Sequence, residues 1–455
     1  MRFSIMSFPR TGPGAGMRLL GMVGTLVLLA GACGEATTPS TGEPAVGPAS
    51  VPTTLVAPAA VTTTMVEAAP PTEASAITAP PFTTTVAPTA TTGSGGVGFP
   101  EWAATFLVFE RTDFALADSG LMRVDPDGGD LGELAAETNA FYETPVWSPA
   151  GSRVAVSKWG PATGDLGPMP GQDIWLMDPN GDNLTNLTNS PESSEYDPQW
   201  SPDGSKIAFW LSPQQSNSNG SLDIRTISVD GTDQVPLTMT PDRNERAPVW
   251  SPDGSQLAFA SGPLEGGPPG SDRIEVIDAD GTERTVLADL SATDLQWSPD
   301  GSRLAFCQMM GWVESEYGEA DQVPTYDIWV IDGDGNNLIN LTKTPELNEC
   351  GPRWAPHGSR IAYSSQGDIW SMDSSGNNKT NLTGTDYPNE SGHEWSPDGS
   401  RIAYSRDDDP RRPSSDWGQT AIWVMNANGS DQAKLTSGDF WDHNLAWQPL
   451  RSAPK

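Results

Sequence analysis

Residues Trp200–Ser205 read WSPDGS, and the same six letters return at Trp250–Ser255, Trp297–Ser302 and Trp395–Ser400. Near-copies are WSPAGS at Trp147 and WAPHGS at Trp354, and a degenerate copy, WQPLRS, stands at Trp447. The stretch has the chemistry of a hairpin turn. Proline presets φ for the second position of a type I turn, with Ser before it and Asp after it as favoured neighbours. Glycine supplies the left-handed residue that lets a bulged hairpin rejoin its strands.

An alternating apolar run follows each copy: KIAF at Lys206–Phe209, QLAF at Gln256–Phe259, RLAF at Arg303–Phe306, RIAY at Arg360–Tyr363 and Arg401–Tyr404. That pattern reads as a strand. A third strand signal comes later in each unit, as in DIWLMD (Asp173–Asp178), DIWVID (Asp327–Asp332) and AIWVMN (Ala421–Asn426). It is followed by a glycine turn and a short strand ending in Leu-Thr. Four short strands per unit, on a spacing of 41 to 57 residues between marker tryptophans, are the signature of propeller blades. A blade cannot bury both faces alone, and radial stacking buries them. One fully buried indole hides about 200 Å², worth up to about 5 kcal/mol.

The degenerate copy sets the ends. Thr105–Phe109 matches the second strand of a unit, and Gly120–Leu134 matches the third and fourth. No strand follows Trp447, so no hairpin glycine is needed there. The expected fold is therefore all-β: a seven-bladed propeller, with six or eight blades as the alternatives, closed by one C-terminal plus three N-terminal strands. The boundaries are a signal peptide at 1–32 (or from Met17), a tether at 33–98, the propeller at 99–450 and a tail at 451–455.

The repeat resembles the WD40-like repeat of TolB-type propellers and is similar to the amino-terminal propellers of dipeptidyl peptidase IV relatives, over Phe99–Leu450. The best-known TolB proteins carry six blades and an extra amino-terminal domain, and they bind a peptidoglycan-associated lipoprotein in the periplasm. This chain carries a tether in place of that domain, so the resemblance implies the fold rather than that role.

Arg2, Arg10 and Arg18 precede the apolar Leu19–Cys33, which is too short to span a bilayer and has the form of a secretory signal. AGAC at Ala30–Cys33 resembles a bacterial lipobox, which implies lipidation of Cys33 and an exported protein anchored to the outer side of the cytoplasmic membrane or to the cell envelope. Gly34–Gly98 is rich in Thr, Pro, Ala and Val and lacks Lys and Arg. It buries too little to offset chain entropy, so a disordered tether is expected, averaging roughly 45 Å as a coil.

With 25 basic and 59 acidic residues the formal charge is −34, which argues against a phosphate backbone as partner, so no nucleic acid is expected. An envelope protein or glycan is expected instead, with membrane contact only through the anchor, a monomeric state and no cofactor. Loops between second and third strands and between units are the long ones, and they carry Trp159, Trp210, Trp312, Tyr317 and Trp417 as a candidate binding face. Cys307 and Cys350 end and begin strands of neighbouring units on that face, which makes a disulfide plausible outside the cytoplasm. His393 and His443, with Glu390, Glu394 or Asp442 nearby, are weak candidates for a metal site. His357 fills a turn position, and Asp332–Asn337 is a hairpin turn rather than a calcium loop. No G-x-S-x-G elbow occurs, and the chain leaves no room for a hydrolase domain after the propeller, so binding is favoured over catalysis. The alternative is a propeller enzyme, peptidase-related or a polysaccharide lyase or glycosidase.

Overall fold

The structure, a computed structural model, describes residues 106–450 apart from 114–117, 138–139, 161–170, 214–219, 265–270, 315–321, 386–389, 408–418 and 438–439. They lie in a compact unit that includes Gly98–Lys455. The expected signal peptide, Cys33 and the expected tether fall outside the described residues. Among the described residues there are 28 strands and no helix, hence none long and apolar enough to cross a membrane.

Strands pair in sequence order. The first sheet runs Phe141–Trp147, Val154–Trp159, Gln172–Met177 and Thr185–Asn186. Four more quartets span 193–236, 243–288, 292–340 and 349–381. The remaining eight strands form two further quartets, touching through one parallel bridge from Thr420 to Trp441. One covers 390–434. The other begins with Trp441–Trp447, which pairs antiparallel with Leu107–Asp113 and so joins the segment 107–136. In that register Leu107 stands opposite Trp447 and Glu110 opposite His443.

The I-A-F triplets explain where the core sits. Ile207 and Phe209 face the preceding sheet, packing with Ala155, Ile174 and Leu176, whereas Ala208 faces the following one, with Leu257 and Phe259. Both faces of each sheet are thus buried, large against small, and the apolar core is divided among the seams between sheets. Leu107, Phe109 and Trp447 fill one of these seams with Ile422 and Val424 of the preceding sheet; Val108 and Leu121 fill the next, with Trp147 and Val154.

The marker tryptophans fasten the seams. Trp200 Nε1 donates to the Val146 carbonyl at 3.2 Å, Trp250 to Gln199 at 3.1 Å, Trp297 to Val249 at 3.3 Å, Trp395 to Arg353 at 3.0 Å and Trp447 to Glu394 at 3.1 Å. Trp147 donates to Ala446 at 3.3 Å. In every case the acceptor is the residue before the tryptophan of the neighbouring sheet. Trp354 departs from the rule: its backbone N–H donates to Gln296 Oε1 at 2.6 Å and its Nε1 has no partner.

Each WSPDGS turn is built as its letters require. Ser201 Oγ takes the Lys206 N–H at 2.9 Å and donates to Asp203 Oδ1 at 2.6 Å, and Gly204 adopts φ 72°. In the equivalent turns the serine hydroxyl, then the N–H beyond it, push the Asp253 and Asp300 carboxyls down to about 2. The terminal copy substitutes other contacts. Gln448 Nε2 donates to the Gly151 carbonyl at 2.9 Å, and its N–H to the Phe106 carbonyl at 2.8 Å.

Two expectations change. The short fourth strands stop before Leu-Thr, and the threonine instead satisfies a third-strand N–H, as Thr188 Oγ1 does for Ile174 at 3.0 Å. Gln308–Glu314 and Gln322–Tyr326, expected as irregular loop, extend two paired strands, Arg303–Glu314 and Gln322–Asp332, so Cys307 lies within a strand rather than at its end. In that register Trp312 stands opposite Pro324 and Val313 opposite Val323.

Candidate functional site at the bulged first strands

Each first strand lies beside the first strand of the next sheet, and Trp441–Trp447 lies beside Phe141–Trp147. All of them carry the same irregularity. The pairing with the second strand shifts register just before the tryptophan. The residue three before the tryptophan takes a left-handed φ: Thr144 (51°), Asp197 (51°), Ala247 (53°), Asp294 (53°), Gly351 (66°), Gly392 (60°) and Asn444 (47°). A bulge re-aims side chains and bends its strand, and the left-handed region costs most residues energy. One repeated backbone device therefore presents non-repeating side chains.

The bulge residue meets the residue after the apolar triplet of the second strand. Trp210 Nε1 donates to Asp197 Oδ2 at 2.7 Å, and Asn444 Nδ2 donates to Glu110 Oε1 at 3.0 Å. Trp210 also stacks on Tyr196, with centroids 4.3 Å apart. Asp294 meets Cys307, whose sulfur is joined to Cys350 at 2.02 Å across the seam to the next sheet.

Carboxylates concentrate here. Glu110, buried, accepts the Thr144 N–H at 2.5 Å and faces His443 Nε2 at 2.9 Å. His443 stacks on Trp441 at 3.8 Å, with Nδ1 3.2 Å from the Trp441 carbonyl. Burial alone would lower its pKa, but the Glu110 charge and hydrogen bond outweigh that and raise it. Glu143 is pushed up to about 7 by burial, against the Gln172 amide that donates to it at 2.9 Å; Glu110 and Asp197 add to the rise. Burial also raises Asp197, with Trp210 opposing and Asp294 reinforcing. Arg353 bonds Glu394 Oε1 at 2.6 Å.

Of the aromatic residues singled out from sequence, Trp210 joins this constellation. Trp159 packs edge-on against Phe141, with centroids 6.1 Å apart. Trp312 is 42% exposed on the long hairpin. Tyr317 and Trp417 lie outside the described residues. The acids expected near the histidines have other partners. Asp442 forms a two-pronged pair with Arg111, both contacts 2.7 Å; Glu390 faces Arg406 at 3.6 Å; Glu394 holds Arg353. His393 is buried beside Ser364, and burial, then Arg353, pushes its pKa down to about 3. Among the described residues, the group of three potential metal ligands is Asp294, Cys307 and Cys350, and neither histidine belongs to it.

Sequence reading missed the bulge and, with it, Glu110, Glu143, Asp197 and Asp294. A signal was present: five of the seven bulge positions are Gly, Asn or Asp, the types that tolerate a left-handed backbone, in the middle of strands.

Four-stranded sheets stacked through repeated tryptophan contacts define a β-propeller. Residues 129–308 match the TolB beta propeller domain family, and this chain is TolB-like over that segment. No curated protein matches the sequence. Among solved structures, a puromycin hydrolase mutant is 14% identical over 74% of this chain and 52% of its own, with a TM-score of 0.54. Oligogalacturonate lyase from Vibrio parahaemolyticus is 15% identical over 73% of this chain and 86% of its own, with a TM-score of 0.50. TolB from Acinetobacter baumannii is 16% identical over 76% and 83%, with a TM-score of 0.42. For the first two, the likeness at these identities is one of fold.

Proposed function

We propose that the protein is a seven-bladed propeller, closed by pairing of Leu107–Asp113 with Trp441–Trp447, that binds a protein or glycan of the cell envelope at the mouth lined by its bulged strands. Export by the signal at 1–32, acylation of Cys33 and the tether 34–98 hold it at the outer side of the membrane. The observation that carries the reading is the left-handed bulge itself: a constant backbone that displays Thr, Asp, Ala, Asp, Gly, Gly and Asn in turn. Variation at a fixed scaffold position is how recognition surfaces are made. Asp197, Glu143 and the Tyr196–Trp210 stack offer hydrogen-bond acceptors beside an aromatic platform, which suits sugar hydroxyls or a polypeptide.

The test is incubation of the purified chain with cell-wall fragments and envelope extract. Retention without turnover, lost in Trp210→Ala, supports the reading; equal retention of the variant removes the mouth as the site.

A second reading is favoured by one specific arrangement. Glu143, pushed up to about 7, neighbours a Glu110–His443 ion pair, and a carboxyl raised toward neutral pH suits general acid catalysis. Metal-dependent or metal-independent cleavage of the same fragments, abolished by Glu143→Gln, would establish that reading instead.

A further inference from the structure

Asp294 Oδ2 lies 3.1 Å from Cys350 Sγ and 3.7 Å from Cys307 Sγ. Neither sulfur of a disulfide carries a hydrogen, so the carboxylate gains no hydrogen bond from either one. The bulge nevertheless fixes it there, at φ 53°. On the other side, the Gly351 N–H donates to Cys307 Sγ at 3.1 Å, a contact that stabilises negative charge on that sulfur. Cys307 is buried, Cys350 is partly open and Asp294 is exposed. The three donor atoms lie within 4.8 Å of one another.

We propose that, with its disulfide reduced, this trio is a binding site for a thiophilic divalent cation such as zinc. Reduction is by an external dithiol. One of its thiolates attacks Cys350 Sγ, the more accessible sulfur; the S–S bond breaks and its electron pair leaves on Cys307 Sγ, where the Gly351 N–H receives it. The second thiolate of the reductant then displaces Cys350, giving two protein thiols and a disulfide in the reductant. Metal binding releases both thiol protons to solvent. Two thiolates at about 2.3 Å and one carboxylate oxygen at about 2.0 Å make a three-residue set, with water in the fourth position. Sulfurs bound to one tetrahedral ion stand about 3.8 Å apart, a spread that rotation of the partly open Cys350 side chain provides. The Arg353 guanidinium opposes a cation here, and its ion pair with Glu394 offsets that charge.

The experiment uses the full chain carrying Cys33→Ser, so that the sulfur signal comes from this pair alone. It is reduced, freed of reductant without air, and titrated with cadmium while the sulfur-to-cadmium charge-transfer absorption is followed; zinc then competes. The expected result is saturation at one ion per chain, displacement by zinc, and binding at least about tenfold weaker in Asp294→Asn. Asparagine keeps the shape and tolerates the left-handed backbone, so that variant folds. Absence of stoichiometric binding, or equal binding by Asp294→Asn, overturns the proposal. Loss of β-sheet circular dichroism on reduction also overturns it, because the site requires the seam to hold without its covalent link.

Discussion

The carboxylates of Asp173 and Glu195, on neighbouring sheets, share one hydroxyl: Thr188 Oγ1 lies 3.3 Å from Asp173 Oδ1 and 3.2 Å from Glu195 Oε2. A hydroxyl has one proton to give, and this oxygen already accepts the Ile174 N–H. Asp173 also accepts the Ser190 N–H and the Asn186 amide, and Glu195 the Ser193 hydroxyl, so it is burial beside a second carboxylate that favours a proton on Glu195. In another seam Thr383 takes the place of Thr188 toward Asp368, and Thr385, two residues beyond it, bridges Asp368 and Glu390, 3.2 Å from each.

These seams make stability depend on pH. Burial first, then the facing aspartate, pushes Glu195 and Glu390 up to about 7; hydrogen bonds from Ser193 and Thr188 to Glu195, and Arg406 and Thr385 at Glu390, oppose the rise. A carboxyl raised in the folded state favours folding when protonated, so its contribution is lost as pH climbs from about 4.5 through about 7. The turn aspartates have the opposite sign: held low, they add stability above their unfolded value and lose it as pH falls toward about 2. We expect the melting temperature to peak near about pH 5 and to decline toward about pH 8, and the decline to flatten in Glu195→Gln with Glu390→Gln. A melting temperature that rises steadily up to about pH 8 contradicts this role of the buried glutamates.

Trp395 and Trp354 provide an internal comparison. Both are buried, but only Trp395 donates its indole N–H across the seam. Trp395→Phe should therefore cost about 1 kcal/mol more than Trp354→Phe in chemical denaturation. Equal losses would mean that the seams are held by area alone.

At the bulges, substitutions should act with opposite signs. Thr144 is β-branched at φ 51°, so Thr144→Asn is expected to stabilise by about 0.5–1 kcal/mol. Gly351→Ala places a methyl at φ 66°, 3.5 Å from His393 Cε1, and should destabilise by about 1 kcal/mol or more. Denaturant midpoints of the two variants decide this.

Gln448 carries the junction of the chain ends through Gly151 and Phe106. Gln448→Ala leaves a buried acceptor on Gly151 and should cost about 1–3 kcal/mol. Hydrogen exchange should speed up first in Leu107–Asp113. Uniform acceleration across all sheets would refute a local role.

The sequence made the sheets legible because each strand is buried on both faces and bounded by a fixed turn: WSPDGS states its own hydrogen bonds, and I-A-F states which side is crowded. The bulge was not legible on the same terms. Alternation with period two assumes an unbroken strand, and a residue such as Asp294 or Asn444 inside one looks like an ordinary polar position. The partnership of Glu110 with His443 was hidden for another reason. It depends on pairing between segments more than 300 residues apart, and no local pattern sets the side-chain geometry there. The seam threonines were seen as strand ends because their hydroxyl role appears only once the third strand's unpaired N–H is placed.

The pairing of Leu107–Asp113 with Trp441–Trp447 also bears on biosynthesis. A nascent chain offers Leu107–Asp113 long before the ribosome delivers Trp441–Trp447, so that strand's edge stays open while all the intervening sheets are made. The strongly acidic composition, by keeping such unfinished molecules apart, suits a sheet that is completed only when Trp441–Trp447 arrives.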